Sequence, residues 1–295
     1  MSDFLERVVR ERQAYVAAAR SWKPLEKVRF AAERAAIRRG MPRFARTLRE
    51  RRAAGKLAVI AEVKRQSPSM GTLATVGQPG VLAVAYAAGG AAAISVITEP
   101  QHWGGSLDDL RAVRSAETGI GWDVPILAKD VIVDEYQIAE AGAAGADAVL
   151  LIAEAHSDRG LSDLINAART LMLDVLLEAH DAADFARAVR VVEATRNTSF
   201  TSGSIATGTE TLLGVNARDL RNPAHIDRSC VHQLARVVPD GVLLVAESGI
   251  TSVEDAEALP LRVDAVLVGT ALVRASDPAP LVRALASARP GRALA

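Results

Sequence analysis

From about residue 57 the chain alternates short apolar runs with longer amphipathic stretches. The runs are LAVIAEV (57–63), AAISVIT (92–98), VPILAK (124–129), DAVLLI (147–152), LDVLLE (173–178), TLLGVN (211–216), GVLLVAE (241–247) and DAVLVG (264–269). They are rich in Val, Ile and Leu and carry almost no alternating polar positions, the pattern of parallel strands covered on both faces. Between them lie helix-like stretches such as 106–117, 133–144 and 252–259, several opened by an Asp or Ser cap. Eight strands, each followed by a helix, predict an α/β fold, a (β/α)₈ barrel over residues 54–295. An open doubly wound sheet is the alternative. Residues 1–53 precede the first strand and read as two or three amphipathic helices, clearest over 4–19, forming an extension packed on the barrel. One segment breaks the rhythm. Nine of the seventeen residues from Thr195 to Thr211 are Ser or Thr, which predicts a loop between a helix and a strand, on the face away from any active site.

In such a barrel, polar residues at the C-terminal strand ends converge on one site. Read in order, the strand ends supply Glu62 and Lys64, two apart and so on one face, followed by Ser67 and Pro68; then Lys129; then Glu178, with His180 beyond it. The sixth strand supplies Asn216, with Arg218 and Leu220 after it, and the seventh supplies Glu247, Ser248 and Gly249. Gly269 and Thr270 follow the eighth. The chain has only five lysines among 35 basic residues, yet two of them sit at buried strand ends. A desolvated lysine can exchange its proton and arginine cannot, so this placement points to acid–base chemistry. Unpaired charges there would be costly, which predicts that they pair with one another and with a ligand. The small-residue turns AESGI and LVGTAL, after the last two strands, are where barrels of this kind commonly hold a phosphate on backbone N–H groups.

Composition narrows the partner class. Acidic and basic residues balance at 35 each, which argues against nucleic acid. The apolar runs are too short and interrupted to span a membrane, and no apolar stretch after a basic start predicts a secretory signal. The single cysteine, Cys230, excludes an internal disulfide and suggests a cytoplasmic setting. The histidines are scattered, with His225 and His232 seven apart and joined by no Cys or Asp cluster, so no metal site is expected. The expected partner is a small phosphorylated molecule, and the expected state a monomer or weak homodimer.

These residues resemble the indole-3-glycerol phosphate synthase family of tryptophan biosynthesis. The resemblance runs over essentially the whole chain: FLERVVRERQAYV, IAEVKRQSPSMG, AISVITE, ILAKDVIVDEYQI, LLEAHD, GVNARDL, VAESGI and LVGTALVR. IAEVK-x-x-SPS and GVNARDL are the specific motifs; AESGI also occurs in other phosphate-binding barrels. The resemblance implies a (β/α)₈ barrel that needs no cofactor. It closes the ring of 1-(2-carboxyphenylamino)-1-deoxyribulose 5-phosphate and releases carbon dioxide and water. It further implies Lys129 as general acid for ring closure, and Glu178 in acid–base transfer with Glu62 supporting it. Lys64 holds anionic groups or serves as the acid in dehydration. Asn216 and Arg218 position the substrate, and Ser67, Ser248, Gly249, Gly269 and Thr270 contact polar groups and phosphate.

Four positions depart from the family pattern. Met70 stands where a lysine is common, Val131 where an aromatic often follows Lys-Asp, Ala128 where Arg or another larger residue is usual, and Thr270 replaces a usual serine. The 195–211 segment is also atypical. These departures leave room for a specialised paralogue in secondary metabolism. Two other readings compete. One is a different phosphosugar enzyme on this fold, such as phosphoribosylanthranilate isomerase; its expected Cys or Asp acid–base pair is not evident, since Cys230 lies at no strand end. The other is a non-catalytic binding barrel, which would be expected to have lost a strand-end charge.

Overall fold

The eight apolar runs become eight parallel strands in a computed structural model that describes residues 4–67, 71–72, 78–119, 121, 123–197, 208–222 and 224–292. The strands are β1 (Ala58–Val63), β2 (Ala93–Ile97), β3 (Ile126–Lys129), β4 (Ala148–Ile152), β5 (Asp174–Ala179), β6 (Thr211–Asn216), β7 (Leu244–Glu247) and β8 (Ala265–Val268). Each pairs with its sequence neighbours, and β1 pairs with both β2 and β8, which closes the barrel and rules out the open sheet. The helices are α1 (Phe4–Trp22), α2 (Leu25–Arg39), α3 (Phe44–Ala53), α4 (Pro79–Ala88), α5 (Leu107–Gly119), α6 (Glu135–Ala144), α7 (Asp158–Thr170), α8 (Ala182–Asn197), α9 (Ser229–Leu234), α10 (Val253–Glu257), α11 (Thr270–Arg274) and α12 (Ala279–Ala286). Asp134, Ser157 and Ser252 cap α6, α7 and α10 by accepting backbone N–H groups, as their positions in the sequence predict.

The apolar residues split into two layers by strand parity. Val59, Ala61, Ile94, Val149, Val175 and their like face the helices. Ala58, Ile60, Leu127, Leu176, Leu212, Val245 and Leu267 fill the barrel interior. The side-chain period of a strand is two, so the interior row continues upward in steps of two. It reaches Glu62 and Lys64, Lys129, Glu178, Gly214 and Asn216, Glu247, and Gly269. Parity thus delivers the charged residues to one end of the barrel.

The N-terminal helices wrap the barrel from end to end. α1 buries Leu5, Val8, Arg12 and Val16, a helical stripe, against the C-terminal rim. Phe4 meets His102 and Trp103 edge-on, and Arg12 pairs with Asp130 at 2.8 Å. α2 packs along α6. α3 plugs the opposite end, where Phe44 and Leu48 are fully buried against Ala58, Leu212 and Leu243; each such side chain contributes roughly 1.5–3 kcal/mol.

The Ser/Thr-rich segment begins later than its composition suggests. α8 continues through Asn197, and Thr195 is buried within it, its hydroxyl donating to the Val191 carbonyl at 2.8 Å. That local bond lets threonine sit in a helix interior. Residues 198–207 lie outside the described residues. The flanks are placed as expected: the Glu210 N–H donates to Asp174 at the start of β5, and the Glu210 carboxylate pairs with Arg49 of α3. Both belong to the N-terminal end of the barrel.

Candidate active site

The C-terminal mouth holds a cavity of about 640 Å³ lined by Glu62, Lys64, Lys129, Glu178, Asn216, Arg218, Leu220 and Ser248, together with apolar Ile97, Leu150, Ile152, Trp103 and Val131. One wall is charged and the other apolar, which suits a ligand with an aromatic body and anionic groups.

Lys129 ends β3, and its amine lies 2.9 Å from Glu178 and 3.0 Å from Glu247. Burial drives this amine toward neutrality, but the Glu178, Glu247 and Glu62 carboxylates outweigh it and raise Lys129 above the ordinary lysine range. Lys129 is therefore protonated at any physiological pH. Burial also pushes the Glu247 carboxyl up to about 8; Lys129 opposes the shift and neighbouring Glu178 adds to it. Glu178 is held on its other oxygen by the Asn216 side-chain amide at 3.2 Å. Across the mouth, the Lys64 amine lies 2.8 Å from Glu62. The strand-end charges pair with one another as the sequence predicts.

Two glycines make this packing possible. Gly214 is flanked in the barrel by Glu178 and Glu247, and a Cβ there would lie 2.4 Å from a Glu247 oxygen. A Cβ on Gly269 would lie 2.3 Å from Glu62 and 2.9 Å from Lys64. Gly269 was expected as a phosphate contact; here it also makes room for the lysine–glutamate pair. Glu247 is 1% exposed and lies behind Lys129 rather than on the cavity wall.

The remaining predicted residues distribute around the mouth. Ser67 lies in a two-residue antiparallel ladder with Gly71, and Pro68 and Met70 fall outside the described residues. Gly249 has φ +76° and faces the Arg228 side chain, and Ser248 before it is also left-handed at φ +66°. Thr270 opens α11 directly, whereas the helix after β7 starts only at Val253, so the two turns are not equivalent helix N-termini. The His180 ring donates from Nδ1 to the Asn216 carbonyl, 2.8 Å away. Val131 is buried on the cavity wall. Ala128 points outward and lines a separate cavity of about 700 Å³ between α1, α5 and α6. Among the described residues there is no cluster of three or more groups placed to hold a metal ion, and no described helix is long and apolar enough to cross a membrane.

Several residues escaped the sequence reading. Glu99 follows β2 and accepts the N–H groups of Gln101, His102 and Trp103 at 2.7–3.0 Å, which aims the Trp103 loop at the cavity. Asp130 also touches the cavity, and burial, opposed by Arg12, pushes it up to about 6. Glu154 lies just past β4. Reading the ends of the second and fourth strands by the same rule as the others would have exposed Glu99 and Glu154, and a glycine inside a strand run is itself a signal of close approach at Gly214.

Fold and site together define a (β/α)₈-barrel enzyme whose acid–base groups meet at the C-terminal face. The indole-3-glycerol phosphate synthase family profile matches residues 5–285. An indole-3-glycerol phosphate synthase from Nocardioides sp. is 51% identical over 233 residues, 79% of this chain and 80% of that protein. One from Variovorax paradoxus is 40% identical over 290 residues, 97% of this chain and 99% of that protein. The chain belongs to the indole-3-glycerol phosphate synthase family. Among solved structures, tryptophan synthase subunit alpha from Legionella pneumophila superposes with a TM-score of 0.57 at 16% identity, covering 83% of this chain and 97% of that one, which speaks to the shared fold alone.

Proposed function

We propose that this chain carries out the ring-closing synthase reaction of its family, converting 1-(2-carboxyphenylamino)-1-deoxyribulose 5-phosphate to indole-3-glycerol phosphate, carbon dioxide and water. The observation that carries the reading is the Lys129 amine held between two buried carboxylates at 2.9 and 3.0 Å. The substrate ketone needs an acid as the electron-rich ring attacks it, and an amine kept protonated on the cavity wall until an alkoxide develops beside it can supply one. Glu178, oriented by Asn216, then takes part in proton transfer, and Glu247 sets the charge behind Lys129. Carbon dioxide leaves and restores the aromatic ring. Loss of the hydroxyl as water needs a second acid, and Lys64, paired with Glu62 across the mouth, is the group in reach. Arg218 and Ser248 position the substrate, with Leu220 and the Trp103 wall against its ring. Ser67, Pro68, Gly249, Gly269 and Thr270 form the proposed phosphate and polar rim. Residues 1–53 act as an extension of a single catalytic barrel, and the working species is a cytoplasmic monomer or weak homodimer. The chain as a working barrel enzyme is tested by incubating purified protein with the substrate and following indole fluorescence; no product under conditions where the fold is intact would remove the proposal.

A further inference from the structure

The proposed reaction has a proton balance that the mouth of the site does not by itself provide. The ring carbon bonds to the ketone carbon, and the carbonyl electron pair moves to oxygen, which takes one proton. The bond to the carboxylate carbon breaks, and its electrons return to the ring as carbon dioxide leaves. The hydroxyl takes a second proton and departs as water, while one C–H proton is given up to form the indole. Two protons enter the substrate and one leaves. With the substrate carboxylate ionised, each turnover therefore consumes one proton, which must reach the site's acids from solvent.

A second route to Glu178 lies beneath α1. A narrow cleft with room for about one water touches Glu178, Asn216, Arg218 and Leu220 of the mouth on one side and Glu154, His180, Asp219 and Arg221 on the other, roofed by Leu5. A wider one of about 760 Å³ shares Leu5, Glu154 and Arg221 as walls and runs out past Glu6 and Arg10 of α1. Those two side chains are 63% and 58% exposed, so this end opens to solvent. Glu154 stands where the two cavities meet. We infer that Glu154 is a proton-transfer group that carries the required proton from solvent to Glu178 through this passage, which enters beneath α1 rather than through the open mouth. The inference rests on the synthase reaction proposed above.

The surroundings of Glu154 fit that task. One oxygen accepts the His180 backbone N–H at 2.7 Å, which anchors the carboxyl between the two cavities. Burial pushes Glu154 up to about 7; the His180 N–H and its own backbone N–H oppose the shift, and Glu178 and Asp184 add to it. A group near neutrality is both filled and emptied readily at working pH. The charged and titratable groups around it are Glu178 and His180 at the end of β5, Asp184 from α8, Arg218, Asp219 and Arg221 from the loop after β6, and Glu6 and Arg10 from α1. Arg221 is itself tied to Asp181 and Asp219 at 3.0 Å each, so it does not lock Glu154 into a permanent ion pair.

The test compares steady-state turnover of the full chain and two variants in dilute buffer and with increasing imidazole, a small acid that titrates near neutrality. Glu154→Gln keeps an acceptor for the His180 N–H but cannot pass a proton. It should lower kcat about tenfold, the low side of general acid–base contributions, with KM nearly unchanged, and imidazole should restore the rate. Glu154→His retains a titrating group and should stay near the wild-type rate without imidazole. A Glu154→Gln variant that turns over at the wild-type rate in dilute buffer overturns the inference. So does a folded Glu154→Gln variant whose loss imidazole does not repair, or a Glu154→His variant as slow as an unrescued Gln variant. Wild-type protein that makes no indole product in the same assay sinks the synthase reading itself, a result distinct from each of these.

Discussion

Replacing Lys129 with alanine tests the site at its centre. Among the described residues the amine is the only cation within hydrogen-bonding range of both Glu178 and Glu247, whose side chains are 2% and 1% exposed. Removing one partner of a buried ion pair typically costs 3–5 kcal/mol, because a charge is stranded. Here the cost should be smaller, about 1–3 kcal/mol. Burial already pushes the Glu247 carboxyl up to about 8 even against Lys129, so without Lys129 Glu247 can take up a proton at neutral pH instead of standing as a stranded charge. The variant should therefore fold. Turnover should suffer far more. A general acid contributes about 10²–10⁴-fold, or about 3–5 kcal/mol of transition-state stabilisation. The assay is indole fluorescence under saturating substrate, with circular dichroism and a melting curve to establish folding. Lys129→Arg keeps the positive charge but offers no exchangeable proton near neutrality, and it should not recover the activity. If folded Lys129→Ala keeps more than about a tenth of the wild-type kcat, Lys129 is not the acid. If Lys129→Arg is fully active, the role is electrostatic.

Other outcomes follow from the same geometry. Because Glu247 keeps in the folded state a proton that an ordinary carboxyl loses near 4.5, its contribution is whole below that pH and declines as pH rises toward 8. Glu247→Gln should thus flatten the fall in melting temperature between those limits, by up to about 1.4 kcal/mol per pH unit; parallel wild-type and variant curves would contradict the shift. Gly269→Ala should force Glu62 and Lys64 apart and lower kcat/KM by roughly tenfold or more, since overpacking a tight site costs about 1–3 kcal/mol; unchanged kinetics would mean the pair relaxes freely. That substitution probes the rim better than one at Gly249, where φ of +76° would add backbone strain to any side chain. Exchanging residues 198–207 for a short Gly/Ser linker should leave kcat/KM within about threefold, under 1 kcal/mol, because both flanks belong to the end of the barrel opposite the site; a large loss in a folded variant would place that segment at the active site.

Much of this protein could be read before it folded. All eight strands lie where continuous apolar runs stand in the sequence, because a strand buried on both faces leaves no polar positions to blur its limits. Parity did the rest for the site. Glu62, Lys64, Lys129, Glu178, Asn216 and Glu247 each continue an inward row in steps of two, so their convergence follows from period and strand order. Element ends were less legible, as at Thr195, whose local hydroxyl bond keeps it in α8 although its neighbours in sequence read as loop.

What the linear pattern does not contain is how far one barrel stave stands from another. Which carboxylate meets Lys129, why residue 214 has no side chain, and why Glu247 retains its proton all depend on barrel closure, which sets β5, β6 and β7 side by side. The fate of α1 is the clearest case. Its apolar stripe shows that it must bury one face, but only the tertiary structure lays it over the catalytic rim, joins Arg12 to Asp130, and roofs a passage past Glu154. Secondary structure and facing are local or periodic properties of the chain; pairing, burial and proton affinity depend on groups brought together from far apart in sequence.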